Sequence, residues 1–504
     1  MNRFKRNIML ILLGLLAVCC IVTAVIRHTE EKKEEIKNSD KTILEIDPDT
    51  VTKLSWSYDD VSLGFSKGES WKYDDDEAFT VDDDKMASLL ELFRELGATF
   101  EITEVEDYEQ YGLNDPVCTI KIAAADKDVE IKLGAYSAMD EERYISIGDG
   151  EVYLISHDLM DDFELELKDM LKDDKVPYIT EAVSIAAAGS LIDSIAINYD
   201  DTEGKSVCTD DMYYTDEKPL STSRVSSYLA SVSNLMLQDY VSYNATDEEL
   251  TKYGLNDPEL TLDITYKEEE EEDEDGDGIS SDLDETAETE KSFSLSLGRN
   301  QDELKEYEDY ISKHPETEEE ETAEAEESAE DEVPKVTAYA RVGDSKIIYQ
   351  ITEDEYNSLM AMTYDELRHK NIMTASDDDI TGIDITLDGN EYKFTSKPGE
   401  KSDDEEDADR VWYYDSDKEI STSSVLAAIT ALNADSFTNE AAGGKEEISL
   451  KIYIDNENFP EIDMTLYRYD GTYCIAVLNG ETVACVTRAQ TVDLIEAVNA
   501  IVLN

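Results

Sequence analysis

The sequence predicts an α+β protein: an N-terminal transmembrane helix followed by three tandem repeats of antiparallel β-meander with packed helices. Three observations carry that prediction. The hexapeptide Tyr111-Gly112-Leu113-Asn114-Asp115-Pro116 returns as Tyr253-Gly254-Leu255-Asn256-Asp257-Pro258. Segments of alternating hydrophobicity surround both copies in one order, and a third set follows without the hexapeptide. A charge-free apolar run, Asn7 to Ile26, opens the chain.

At about 1.5 Å per residue that run is long enough for a hydrocarbon core of roughly 30 Å. Arg3, Lys5 and Arg6 precede it. The positive-inside rule therefore predicts a cytoplasmic tail over 1–6, an anchor over 7–26 and the rest outside, as in a single-pass cell-membrane protein. The alternative is a cleaved signal peptide, but the run exceeds an ordinary h-region and no Ala-x-Ala site follows. Cys19 and Cys20 suggest a lipoprotein, yet Val18 stands where a small residue should precede the modified cysteine. Residues 27–48 read as a charged linker.

The first repeat is expected over 49–175. Val51 to Trp56 alternates as a strand should, followed by Leu63 to Ser66 and the tryptophan-centred Ser70 to Tyr73. Met86, Leu89, Leu90, Phe93 and Leu96 form the apolar stripe of a helix. After the hexapeptide come strands over Val117 to Ile122, Val129 to Leu133, Tyr144 to Ile147 and Val152 to Ile155, then a closing helix over Leu159 to Leu171.

The second repeat, 190–372, answers element by element. Ile192 to Tyr199 is its expected first strand and Met212-Tyr213-Tyr214 its aromatic strand. Forty residues separate Trp71 from Tyr111, and forty separate Tyr213 from Tyr253. Val225, Tyr228, Leu229, Val232 and Leu235 mark its helix. Its meander is expected over Leu260 to Tyr266, Ser292 to Leu297, Thr337 to Val342 and Lys346 to Ile351, with Thr352 and Glu355 boxing a closing helix. Two acidic inserts, 267–291 and 312–334, hold too few large apolar residues to fold and read as disordered. The third repeat, 380–504, keeps the first strand (Ile380 to Ile385), the aromatic strand Trp412 to Tyr414, the meander and a helix over Gln490 to Ile501. Its hexapeptide is replaced by Asn439 to Lys445.

Each hexapeptide reads as punctuation. Gly112 and Gly254 suit the left-handed residue just past a helix, and Leu113 and Leu255 the apolar contact of a Schellman stop. Pro116 and Pro258 bar helix continuation and hold Asp115 and Asp257 extended. Thr103 with Glu106, and Thr246 with Glu249, have capping-box spacing ahead of each copy.

Across 504 residues, 122 acidic against 43 basic side chains give a formal charge of −79. That opposes nucleic-acid binding, which needs cations to displace phosphate counterions. Four histidines, none paired at helical metal-ligand spacing, and no nucleophile elbow or phosphate loop leave catalysis without a signature. Cys118 and Cys208 read as buried apolar residues. One chemical pattern is specific: Asp273, Asp275, Asp277, Ile279, Ser281 and Asp284 follow the spacing of a Ca²⁺ loop, with Asp in place of the final Glu. Asn479-Gly480 is a two-residue hairpin turn. Counting outward from it places Cys474 opposite Cys485, so a cross-strand disulfide is geometrically open there.

The anchor, the Trp71 and Trp412 strands, the two hexapeptides and the strand–turn–strand ending of Tyr144 to Ile155 resemble the bacterial domain-of-unknown-function family 4340 over most of residues 45 to 504. Members of that family are often encoded beside ABC-type transport components. The resemblance thus implies an envelope accessory role and transfers no catalytic residues. The expected function is a non-enzymatic, membrane-anchored, extracytoplasmic binding or scaffolding protein with a protein partner in a membrane complex. A calcium- or glycan-binding surface protein and an envelope hydrolase are the alternatives.

Overall fold

A computed structural model describes residues 41–139, 141–268, 289–314, 333–399, 410–415 and 418–503. The expected cytoplasmic tail and anchor, the Ca²⁺ loop with Asp273, Asp275, Asp277, Ile279, Ser281 and Asp284, and the body of both acidic inserts lie outside these residues.

The α+β prediction is corrected. The protein is mostly β, with four antiparallel sheets and only 22% helix. Among the described residues no helix is long and apolar enough to cross a membrane. Helical segments fall short because the chain spends its apolar alternation on strands and leaves helices as covers. The closing helix expected over Leu159 to Leu171 is a four-residue helix, Met160–Phe163, and a 3-10 turn, Leu167–Met170.

A small sheet pairs Lys41–Leu44 with Leu96–Ala98. In the first large sheet Val51–Tyr58 is flanked on one side by Val61–Lys67 and Trp71–Tyr73. On its other side lie Cys118–Ala124, Asp128–Ser137, Glu142–Ser146, Val152–Ile155 and finally Phe100–Ile102. The second sheet repeats this order around Ala182–Ala188. Ile195–Tyr199, Tyr213–Thr215 and an added edge strand, Lys218–Leu220, lie on one side. Leu260–Glu268, Thr289–Arg299, Ala338–Val342, Ile348–Ile351 and Tyr240–Ser242 lie on the other. The third sheet has the same order around Ile380–Leu387, from Lys418–Ile420 at one edge to Ala434–Phe437 at the other.

The strand equivalent to Val51–Tyr58 in the second repeat is therefore Ala182–Ala188, ahead of the expected start at 190. Its composition hid it, because alanine is depleted in strands. Yet Ala182, Ile185 and Ala187 are buried. The helix Gln301–Lys313, N-capped by Asn300, was likewise unforeseen.

By compactness the chain divides into one unit ending at Asp174, with Ser242–Asn244 added, and a second of Lys175–Val241 and Ala245–Asn504. In the first unit Trp56 stacks on Phe65 and meets Phe163 edge-on, both at 5.4 Å between centroids. Met86, Leu89, Leu90 and Phe93 of the helix Asp83–Glu91 and its following turn close that core. In the second unit Val225, Tyr228, Leu229 and Val232 of the helix Thr222–Ser233 do the same for the second sheet, and the Tyr228 hydroxyl donates to the Leu359 carbonyl at 2.9 Å. The helices Ser423–Thr430 and Arg488–Val502 pack together over the third sheet.

Candidate functional site

Both hexapeptides are structural stops. Gly112 has φ +72° and Gly254 φ +71°. The Leu255 amide donates to the Leu250 carbonyl and the Gly254 amide to Thr251, the two bonds of a Schellman motif; Leu113 to Tyr108 and Gly112 to Glu109 repeat them. Tyr111 packs on Tyr144 and Tyr253 on Tyr339, while Leu113 and Leu255 are buried. Asn114, Asp115, Asn256 and Asp257 are exposed, and Pro116 and Pro258 lead into the next strand. The copies differ upstream. Thr246 and Glu249 form the expected capping box on the helix Asp247–Lys252. Thr103 and Glu106 do not; a left-handed Glu104 intervenes, and only a 3-10 turn, Glu109–Tyr111, precedes Gly112.

The cross-strand disulfide reading is corrected. Leu478 faces Glu481 and Val477 faces Thr482 as counted, but a bulge then shifts the register. Ala476 faces Ala484, Ile475 faces Cys485 and Cys474 faces Val486. Cys474 and Cys485 thus project from opposite faces of the hairpin, and both are free thiols.

Chemically mixed side chains converge in the second unit, beside a cleft of about 710 Å³ at the junction of the second and third sheets. Cys208 and Asp211 sit on the loop entering the strand Tyr213–Thr215; His369 lies just past the helix Tyr364–Leu367. One potential ligand atom from each of the three lies within 4.8 Å of the others. Asp211, whose side chain is 1% exposed, is the hub. Its Oδ1 meets His369 Nε2 at 2.6 Å, and its Oδ2 accepts from Ser206 Oγ at 2.6 Å. The Cys208 sulfur lies within 4.8 Å of a carboxylate oxygen, and burial pushes the thiol above the usual cysteine range.

The main chain fixes this arrangement. Thr222 Oγ1 accepts from the Met212 amide and donates to the Asp210 carbonyl, pinning the loop to the helix start. His369 stands between two ties: the Ser221 amide donates to Leu367, and the Ala434 amide to Lys370. A Cys–His–Asp hydrolase places imidazole between thiol and carboxylate. Here Nε2, the nitrogen nearer a bound substrate in such a hydrolase, is taken by the Asp211 carboxylate at 2.6 Å. A thiolate, an imidazole and a carboxylate are instead a donor set for a borderline-soft divalent metal.

The sequence reading missed this group. It took Cys208 as a buried apolar residue, whereas Cys208 is half-buried in a polar loop. Cys208-x-x-Asp211 is a local pair with little specificity, and His369 stands 158 residues further on.

A family model described as "Domain of unknown function (DUF4340)" matches the chain twice, over residues 71–258 and 215–451. Both matches start at an aromatic strand, Trp71–Tyr73 or Tyr213–Thr215. Both end where the next repeat enters its meander, so the matched unit is offset from the sheets. No curated protein and no solved structure matches the chain.

Proposed function

The chain belongs to the DUF4340 family, and from that premise we propose that it is a non-enzymatic, extracytoplasmic binding or scaffolding protein serving a membrane complex of the ABC-transport class. The observation that carries this reading is the junction cleft. Polar groups from two repeats line it, among them Thr209, Asp210, Ser223 and Asn371 of the second and Thr430 of the third. Repeated sheets of one topology suit presentation of such a surface.

Affinity purification from native membranes tests the proposal. Thr209 is exposed on the cleft rim. Thr209→Arg is expected to keep the melting temperature and lose the membrane-complex subunits that the unaltered chain retains. Equal recovery of those subunits by both proteins removes the cleft as the contact surface. Recovery of none by the unaltered chain removes the scaffolding role.

A further inference from the structure

We propose that Cys208, Asp211 and His369 form a zinc site whose fourth position opens into the cleft between the second and third sheets. The site needs no rearrangement of the fold. A tetrahedral zinc with Zn–N and Zn–O of about 2.0–2.1 Å and Zn–S of about 2.3 Å sets ligand spacings of roughly 3.3–3.6 Å. The three donors already fall within 4.8 Å of one another. Metal entry lengthens the 2.6 Å contact between Asp211 Oδ1 and His369 Nε2 by roughly 0.7 Å and draws the thiol inward.

The surroundings support the ligands. Ser206 Oγ holds the second oxygen of Asp211 at 2.6 Å and so orients the first, the role that outer-shell hydrogen bonds play at metal sites. The same Ser206 oxygen accepts from the Cys208 amide at 3.3 Å. Cys208 and His369 both line the cleft, which gives the ion an entry path. Thiolate and imidazole select zinc over magnesium or calcium. The protons balance simply. The Cys208 S–H bond breaks and an S–Zn bond forms, with one proton released to solvent. The imidazole ligates through the Nε2 lone pair and carries its one ring proton on Nδ1. The fourth position is left for water or for a donor from a bound molecule, as at open zinc sites. The bound ion ties the 206–212 loop of the second repeat to the connector that leads into the third.

This inference does not depend on the partner reading, because metal binding is measured without a partner. The full chain is stripped with chelator and titrated with Co²⁺, then Zn²⁺. An acid-rich chain takes up divalent ions loosely at many carboxylates, so the readout is the thiolate-to-cobalt charge-transfer band, which carboxylates do not give. The band is expected in the unaltered chain, in Cys485→Ser, and to disappear on adding Zn²⁺. It is expected to vanish in Cys208→Ser, and His369→Gln should weaken zinc binding at least about 10-fold. Should Cys208→Ser fail to fold, His369→Gln decides, since that side chain is partly exposed. No band in the unaltered chain, or zinc affinity unchanged in His369→Gln, overturns the site.

Discussion

Gly298 lies directly beneath Tyr253: a Cβ at Gly298 would stand 2.5 Å from the Tyr253 carbonyl oxygen and 2.7 Å from that of Gly254. Gly134 repeats the relationship under Tyr111, at 2.2 Å. Each hexapeptide therefore seats backbone against backbone on the second strand after it, Asp128–Ser137 or Thr289–Arg299. In the third repeat the pairing of Ile448 with Leu466 corresponds to that of Leu260 with Leu297, which puts Tyr467 at the place of Gly298. Glycine and hexapeptide are lost together there, and Gly444 makes the close approach instead, against the Arg468 carbonyl.

Gly298→Ala and Gly134→Ala are expected to destabilise their units by about 1–3 kcal/mol, the cost of overpacking where the opposing atoms are main chain and cannot swing aside. Gly471→Ala is the control, because a Cβ there meets nothing within 4 Å. Chemical denaturation of the three variants compares them. Stabilities of Gly298→Ala and Gly134→Ala matching that of Gly471→Ala would refute the seating role.

What the sequence disclosed follows from how locally each feature is encoded. Gly254, Leu255 and the Thr246–Glu249 box are read within ten residues of one another, and all take their expected places. The strand Ala182–Ala188 lacked the bulky branched side chains that announce a strand, so only pairing with Leu260–Glu268 on one side and Ile195–Tyr199 on the other defines it. The bulge beside Ala476 is a tertiary accommodation, and a count outward from Asn479-Gly480 cannot see it. The trio of Cys208, Asp211 and His369 is assembled across 158 residues by the junction between repeats. Periodicity carries no information about that distance.

A second prediction concerns Glu259, which precedes the strand Leu260–Glu268. Its buried carboxylate accepts from Arg299 Nε at 3.1 and 3.0 Å and from the Tyr356 hydroxyl at 2.5 Å. Glu447 and Arg468 form the equivalent pair in the third sheet, while the first sheet has Val117 and Ala135 there. Glu259→Ala strands the half-buried Arg299 guanidinium and is expected to cost about 3–5 kcal/mol. Replacing both residues with apolar ones should recover much of that loss. Urea denaturation of the two single variants and the double variant measures the coupling; simple additivity would mean the pair does not act as a unit.

The pH dependence of the first unit should report on Asp158. Burial alone would raise its carboxyl, but two hydrogen bonds from Arg143, at 2.5 and 2.7 Å, and one from the Met160 amide outweigh burial and hold it below the usual carboxylate range. A depressed native value stabilises the fold above the unfolded value of about 3.9, and that contribution is lost as pH falls through the native value. Asp158→Asn is expected to cost about 1.5–3 kcal/mol at neutral pH, the range for charged hydrogen bonds. It should also flatten the acid limb of a melting-temperature profile. An acid limb unchanged in the variant would show that other carboxylates govern acid unfolding.

The final prediction tests the register of the last hairpin. Cys474 is buried against the core, whereas Cys485 is only partly buried and faces Ile475. A strand must slip by one residue to bring the two thiols to the same face, and such a slip moves every apolar side chain of that strand off the core. Ala484 and Val486, both buried, would be turned outward with it. Oxidation of this pair should therefore not occur while the sheet is intact, even in an oxidising compartment. Native alkylation is expected to label Cys485 well before Cys474, and denaturation without reductant should then expose Cys474 as a reactive thiol. Peptide mass spectrometry of a non-reduced digest reads both outcomes. A cross-linked peptide containing Cys474 and Cys485 would place the bulge elsewhere and restore the direct pairing that the hairpin turn suggests.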